Sequence, residues 1–154
     1  MSSKKQASGG GPPMIQNRKA RHNFELLERY EAGIALTGSE VKSIRQGRAN
    51  LQEAYCFLQR GELFVRNLHI SAYEQGGYAN HDPWRTRKLL LKRKELNELK
   101  KSLQERGRTV VPLKMFFNKR NLAKVEVALA RGKKTHDKRA SLKEKELKRE
   151  MRRE

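Results

Sequence analysis

The spacing of apolar residues along this chain alternates between a period of two and a period of about 3.6, and the changes divide it into elements. His22 to Tyr30 (HNFELLERY) fits both patterns. Phe24, Leu26, Glu28 and Tyr30 share one face of a strand, while Leu27 and Tyr30 equally face inward on a helix. The strand-like Ile34-Ala35-Leu36 beyond Ala32-Gly33 tips the choice toward a strand that bends at Gly33. Thr37 to Gly47 has the marks of a short helix: Ser39 to cap it, Glu40 in the first turn, Val41 and Ile44 on one face, and Arg45 in the last turn before Gly47. Tyr55 to Ile70 reads as a hairpin turning at Arg60-Gly61. Leu89 to Gly107 contains the clearest helix, with Leu96, Leu99 and Leu103 as a core-facing stripe and Gly107 as its stop. Thr109 to Phe117 and Leu122 to Ala130 form a second hairpin, across Asn118 to Asn121. In its second strand Val125, Val127 and Leu129 face one way, and Lys124, Glu126 and Ala128 the other.

Five or six mostly antiparallel strands with one short and one longer helix make a mainly β domain over residues 15–130. The nearest architecture is a small antiparallel barrel of the oligonucleotide-binding type, one end closed by the short helix. The loop from Ser71 to Arg87 holds Tyr73, Tyr78, His81, Trp84, Arg85 and Arg87, a mixture suited to stacking on bases and pairing with phosphates. For Trp84 the expectation is a plug in the barrel end. The pattern fails at both termini. Residues 1–14 (MSSKKQASGGGPPM) are small, polar and glycine-rich, a disordered arm. Residues 131–154 carry eleven basic and five acidic residues. Leu142 and Met151 fall on opposite sides of any helix there, so nothing drives it onto a core. Glu144–Lys148, Glu146–Arg149 and Glu150–Arg153 still favour a helix, by about 0.2–0.5 kcal/mol each. The segment is either a solvated tail or one that folds on a partner.

Charge bears on that choice. The 154 residues hold 36 basic and 17 acidic side chains, a net +19. The tail accounts for six of these positive charges and the body for thirteen. A body basic in its own right points to nucleic acid, where each phosphate neutralised releases counterions. A membrane fits less well, because there is no basic amphipathic helix with a bulky apolar face and no apolar run near eighteen residues. The start lacks an apolar signal-peptide core, and a cytoplasmic location is expected.

Residue chemistry adds no enzyme. Cys56 is the single cysteine and falls mid-strand, where a small buried residue is expected. His22, His69, His81 and His136 form no His-x-x-x-His pair, and neither metal nor cofactor is expected. Glu31 and Glu40 flank a strand–helix corner and suggest a general acid–base pair. Against that, Glu40 complements a helix N-terminus and Glu31 suits a base edge or a loop brace.

Four blocks carry a resemblance: NRKARHNF (Asn17 to Phe24), YEAGIALTGSEVKSIRQGRANL (Tyr30 to Leu51), NHDPWRTRKLLL (Asn80 to Leu91) and ALARGKKTHDKR (Ala128 to Arg139). Together they resemble the SmpB, or SsrA-binding protein, family of bacterial trans-translation, in order and spacing from about Asn17 through the tail. The resemblance implies a barrel around a helix that grips the tRNA-like domain of transfer-messenger RNA. It implies a non-catalytic adapter that brings this RNA, with elongation factor Tu and GTP, to stalled ribosomes. The tail is then disordered when free and helical on the ribosome, in the empty mRNA channel near the small-subunit decoding region, and protein and RNA together mimic a tRNA. Carried over by motif, the RNA-binding residues are Asn17, Arg21, His22, Glu31, Leu91 and Lys124; Arg45, Arg87 and Lys88 are added from charge and location. In the tail, Gly132, Lys133 and Lys134 match the family's hinge, followed by His136, Asp137, Lys138 and Arg139 as ribosome contacts. Phe24 and Phe116 stand where many members carry tyrosine.

Overall fold

The computed structural model describes residues 13–77 and 80–133. Most of the N-terminal arm, Tyr78, and the tail from Lys134, with His136, Asp137, Lys138, Arg139 and the proposed helix pairs, lie outside the described residues. The elements are β1 (Ile15–Gln16), α1 (Arg18–Asn23), β2 (Phe24–Ile34), α2 (Gly38–Arg45), β3 (Ala49–Asn50), β4 (Tyr55–Gln59), β5 (Glu62–Arg66), β6 (His69–Ile70), β7 (Arg87–Leu90), α3 (Arg93–Ser102), β8 (Arg108–Phe117) and β9 (Ala123–Gly132).

Six strands close a ring in the order β8-β4-β5-β7-β2-β9, with β9 pairing back to β8. Every pairing is antiparallel. The mainly β barrel is as expected, and it is closed, so its six strands leave little edge to aggregate. β1 extends the free edge of β8 beyond β4, and β3 and β6 make a separate two-stranded ribbon. The Arg60-Gly61 turn stands where the sequence places it. Both residues have positive φ, 53° and 78°, as a two-residue hairpin turn that follows the strand twist requires. The interior holds Tyr30, Ala32, Cys56, Leu63, Val65, Leu89, Val110, Met115, Val125 and Val127, with Ile44 from α2 and Leu96 and Leu99 from α3. No helix among the described residues is long and apolar enough to cross a membrane.

β2 departs from the expected pattern. Its register against β9 slips between Leu26 and Glu28, leaving Leu27 as the extra residue of a bulge. A bulge resets the two-residue alternation. Phe24 and Leu26 therefore point outward, while Tyr30, Ala32 and Ile34 point into the barrel. The four residues Phe24, Leu26, Glu28 and Tyr30 do not share a face. The irregularity sits at Leu27, and the ladder runs unbroken through Gly33.

The outward residues have their own cover. α1, six residues long and too short to show a helical period, packs Ala20 on Val111, Leu113, Ala128 and Ala130. Asn17 caps it. Its Oδ1 accepts from the Ala20 amide at 3.2 Å, and its Nδ2 donates to the Pro112 carbonyl at 2.9 Å. Pro112 sits in β8 beside a register shift in its pairing with β9, the kind of irregularity at which a residue without an N–H is tolerated. On α2 the cap is Thr37, not Ser39: Thr37 and Glu40 form a reciprocal capping box.

Candidate nucleic-acid interface

Among the described residues, most of the charged candidates from the sequence fall into one buried network and two exposed groups. The network centres on Glu40, fully buried although charged. Arg87 is also fully buried and donates from Nε to the Glu40 carboxylate. Arg85 adds a second ion pair at 2.6 Å, and the Thr37 amide a hydrogen bond at 2.8 Å. Burial alone would raise the Glu40 pKa. The hydrogen bonds from Arg85, the Thr37 amide and Arg87 outweigh it and hold the carboxyl at about 2. For Arg87 burial prevails and lowers its pKa, with Glu40 opposing.

The remaining donors of Arg87 reach the carbonyls of Leu68 at 2.7 Å, Pro83 at 3.3 Å and Asp82 at 3.4 Å. Arg87 thus ties the aromatic loop to the barrel interior and is lost to the RNA-facing set. The sequence carried the signal: alternation through Arg87, Lys88, Leu89 and Leu90 puts Arg87 and Leu89 on one inward face. The Glu31–Glu40 acid–base pair falls for the same reason, since Glu40 is walled in while Glu31 lies on the outer surface.

The first exposed group covers the outer face where β7, β2 and β9 meet. Glu31 stands opposite Glu126, and Lys124 opposite Gly33. Arg29 pairs with Glu126 at 3.6 Å, and Glu31 has no ion pair among the described residues. Gly33 also pairs with Leu90, whose side chain lies across it. A Cβ on Gly33 would come within 3.3 Å of the Leu90 Cβ. Leu90 is 52% exposed, whereas Leu91 packs half-buried against the core. The outward leucine is therefore Leu90, one position from the residue the motif indicates. Lys88 is exposed on the same strand and only loosely paired with Glu62, at 3.9 Å.

The second group surrounds α1 and the end of β9. Arg18, Lys19 and Arg21 are exposed and His22 is half-buried. Asn17 is buried, so it acts by fixing the helix and not by touching a ligand directly. β9 runs to Gly132, two residues past the expected boundary at Ala130, and Arg131 pairs with Glu25 across it. The Lys133 amide donates to the Asn23 carbonyl at 3.1 Å, so the chain leaves the barrel against α1. Phe24 and Gly33, toward opposite ends of β2, belong to the two groups, which adjoin on the outer face of β9: Ala128, packed under Ala20 of α1, is the next outward residue after Glu126. Arg45 belongs to neither. Its guanidinium lies over the Phe117 ring, 4.5 Å from the centroid.

Trp84 does not plug the barrel. It is 56% exposed and meets the His69 ring at 4.6 Å between centroids. Cys56 is buried, and burial raises its pKa, which suits an inert core residue. Burial, then Glu28 and Glu98, raise the Tyr30 phenol above its ordinary range. No group of three or more metal-ligating side chains occurs among the described residues. The surface as a whole offers cations, amides and aromatic rings, which is binding chemistry.

The family model described as SmpB protein matches residues 14–154. The chain is 52% identical over 145 residues to the SsrA-binding protein of Geobacillus thermodenitrificans, covering 94% of this chain and 93% of the relative. It is 50% identical to that of Bacillus subtilis, covering 94% and 92%. With that of Cytophaga hutchinsonii the identity is 49%, covering 90% and 91%. A solved structure described as "tmRNA-SmpB: a journey to the center of the bacterial ribosome" superimposes with a TM-score of 0.67 at 52% identity, covering 80% of this chain and 86% of the other.

Proposed function

The chain belongs to the SmpB family, and from that premise we propose that it is a non-catalytic adapter of trans-translation. It binds the tRNA-like domain of transfer-messenger RNA and brings it, with elongation factor Tu and GTP, to stalled ribosomes in the cytoplasm. One observation carries this reading beyond kinship: a closed barrel with its two exposed groups adjoining on the outer face of β9 and its chain exit at one end, against α1. Such a body holds RNA on its surface while the 131–154 segment is presented elsewhere. Glu31, Lys88, Leu90 and Lys124 serve one contact, with Leu91 bracing Leu90 from the core side. Arg21 and His22, on a helix fixed by Asn17, serve the other. The segment beyond Gly132 and Lys133, with Lys134, His136, Asp137, Lys138 and Arg139, enters the empty mRNA channel and becomes helical there.

Truncation after Gly132 tests the division of labour. RNA affinity measured by anisotropy stays within about twofold, because the fold is complete at the end of β9, while tagging of nascent chains on stalled ribosomes is lost. A truncated protein that no longer binds the RNA would overturn it. Competition with bulk tRNA tests selectivity: displacement of labelled transfer-messenger RNA at equal tRNA concentration would reduce the protein to a general RNA binder.

A further inference from the structure

We propose that the cleft between Trp84 and His69 is a binding site for one unstacked nucleobase of an RNA partner. This rests on the RNA-binding function above and adds a contact beside the second exposed group, joined to it by the Lys19–Glu53 ion pair. The cleft encloses about 290 Å³ and is lined by Asn50, Gln52, Glu53, Asn67, His69 and Trp84. A planar base is small enough to enter it.

Trp84 is the only tryptophan of the chain and the most exposed of its large hydrophobic side chains among the described residues. An indole left in water forgoes the burial that such a ring normally gains, so its position calls for a partner. The ring is not loosely hung. Its amide donates to Asp82 Oδ1 at 2.9 Å, and the Pro83 carbonyl beside it accepts from the Ile70 amide at 3.0 Å. Arg87 holds the Asp82 and Pro83 carbonyls from below, and Arg85 on the other side is fixed to Glu40. The buried ion network thus fixes the backbone that carries the indole, and His69 contacts the ring, which together remove part of the ordering cost of binding. His69 meets the ring at 60°, a tilted contact rather than a stack, and the 56% exposure of Trp84 leaves an indole face open for stacking.

The rest of the lining suits the edge of a base. Asn50 stands opposite His69 in the β3–β6 ribbon. The side-chain amides of Gln52 and Asn67 make no hydrogen bond among the described residues, and Asn50 uses only its oxygen, which accepts from the Gln52 backbone N–H at 2.8 Å. Carboxamides both donate and accept, which is what the Watson–Crick edge of an unpaired base presents. Glu53, the one acid in the lining, is ion-paired with Lys19, which offsets its repulsion of an RNA backbone. An apolar peptide side chain would leave those amides unpaired.

The base could come from transfer-messenger RNA or from ribosomal RNA, and the test separates them. Full-length protein carrying 5-hydroxytryptophan at its single tryptophan is followed by emission excited to the red of ordinary tryptophan. One arm titrates it with the labelled tRNA-like domain, with binding read independently by anisotropy. The other uses stalled ribosomes, with binding read by co-sedimentation. The expected result is emission quenching that tracks binding in one arm. In that arm Trp84→Ala weakens binding roughly five- to hundredfold, as loss of a base stack does, and Trp84→Phe weakens it much less. Intact binding in both arms with unchanged emission and a neutral Trp84→Ala overturns the site and leaves the adapter function standing. Absence of binding in both arms overturns the adapter function itself.

Discussion

Glu40 and Glu31 lie nine residues apart and meet opposite fates. Glu40 is sealed inside with two arginines and a capped helix, every oxygen satisfied. Glu31 stands in solvent, directly across from another glutamate, with no cation paired to it among the described residues. The first arrangement is one a fold needs: charge taken out of water has to be matched, or the cost is several kcal/mol. The second works slightly against the fold, since like charges directly opposite on a sheet are destabilising. An arrangement that does not stabilise the free protein, on a face with Lys124 and an exposed Leu90, is where a binding partner belongs.

Four changes sharpen or break that contrast, the largest first. Glu40→Ala strands the buried Arg87 and removes the capping box. A loss of about 3–5 kcal/mol is expected in denaturant unfolding, and a loss under 1 kcal/mol would mean the network is not structural. Acid tests the same carboxylate without mutation. Its folded pKa, about 2, is depressed below the ordinary carboxylate value of 4.5. Its stabilisation is therefore complete above pH 4.5 and disappears as pH falls through that value toward 2. The loss is about 3 kcal/mol by linkage, and Glu40→Gln should remove this part of the acid sensitivity. Lys124→Glu reverses a charge on the outer face. It is expected to weaken RNA binding about tenfold and flatten its salt dependence by about one to two phosphate contacts, with thermal stability nearly unchanged. A large drop in melting temperature would assign Lys124 to the fold. The smallest effect is expected of Glu31→Gln, which relieves the repulsion with Glu126 and stabilises the free protein by a few tenths of a kcal/mol while weakening RNA binding. Opposite signs in the two measurements are the signature sought, and loss of stability would reverse the assignment of Glu31 to function.

Legibility in the sequence followed the range of the interactions. The Arg60-Gly61 and Asn118–Asn121 turns and the inward set Val125, Val127 and Leu129 rest on local backbone preference and on alternation, so they could be read directly; the helix stop expected at Gly107 could not, since α3 ends at Ser102 and Gly107 instead turns the chain into β8. The bulge at Leu27 could not. It shows only as a slip against β9, about a hundred residues away, and it moved Phe24 and Leu26 to the opposite face. α1 escaped because six residues carry less than two turns of pattern. Arg87 looked like a ligand for phosphate because charge in a loop is ordinarily solvated, and only the distant Glu40 makes its burial tolerable. Trp84 erred the other way, since an indole is usually buried and nothing near it in the sequence says otherwise.

Composition and local pattern, then, determined by themselves that this is a basic, mainly β body suited to a nucleic-acid partner, followed by a charged segment with no apolar stripe, because net charge, alternation and turn chemistry are properties of neighbours along the chain. The tertiary structure decided which charges are available: Glu40 and Arg87 withdrawn into an ion network, Asn17 turned inward to hold a helix, Leu90 outward over Gly33, and Trp84 left open beside His69. Those outcomes depend on which groups meet across the closed barrel. The free energy of a charge or a ring is set by the dielectric and the partners around it, and it takes the fold to bring them there.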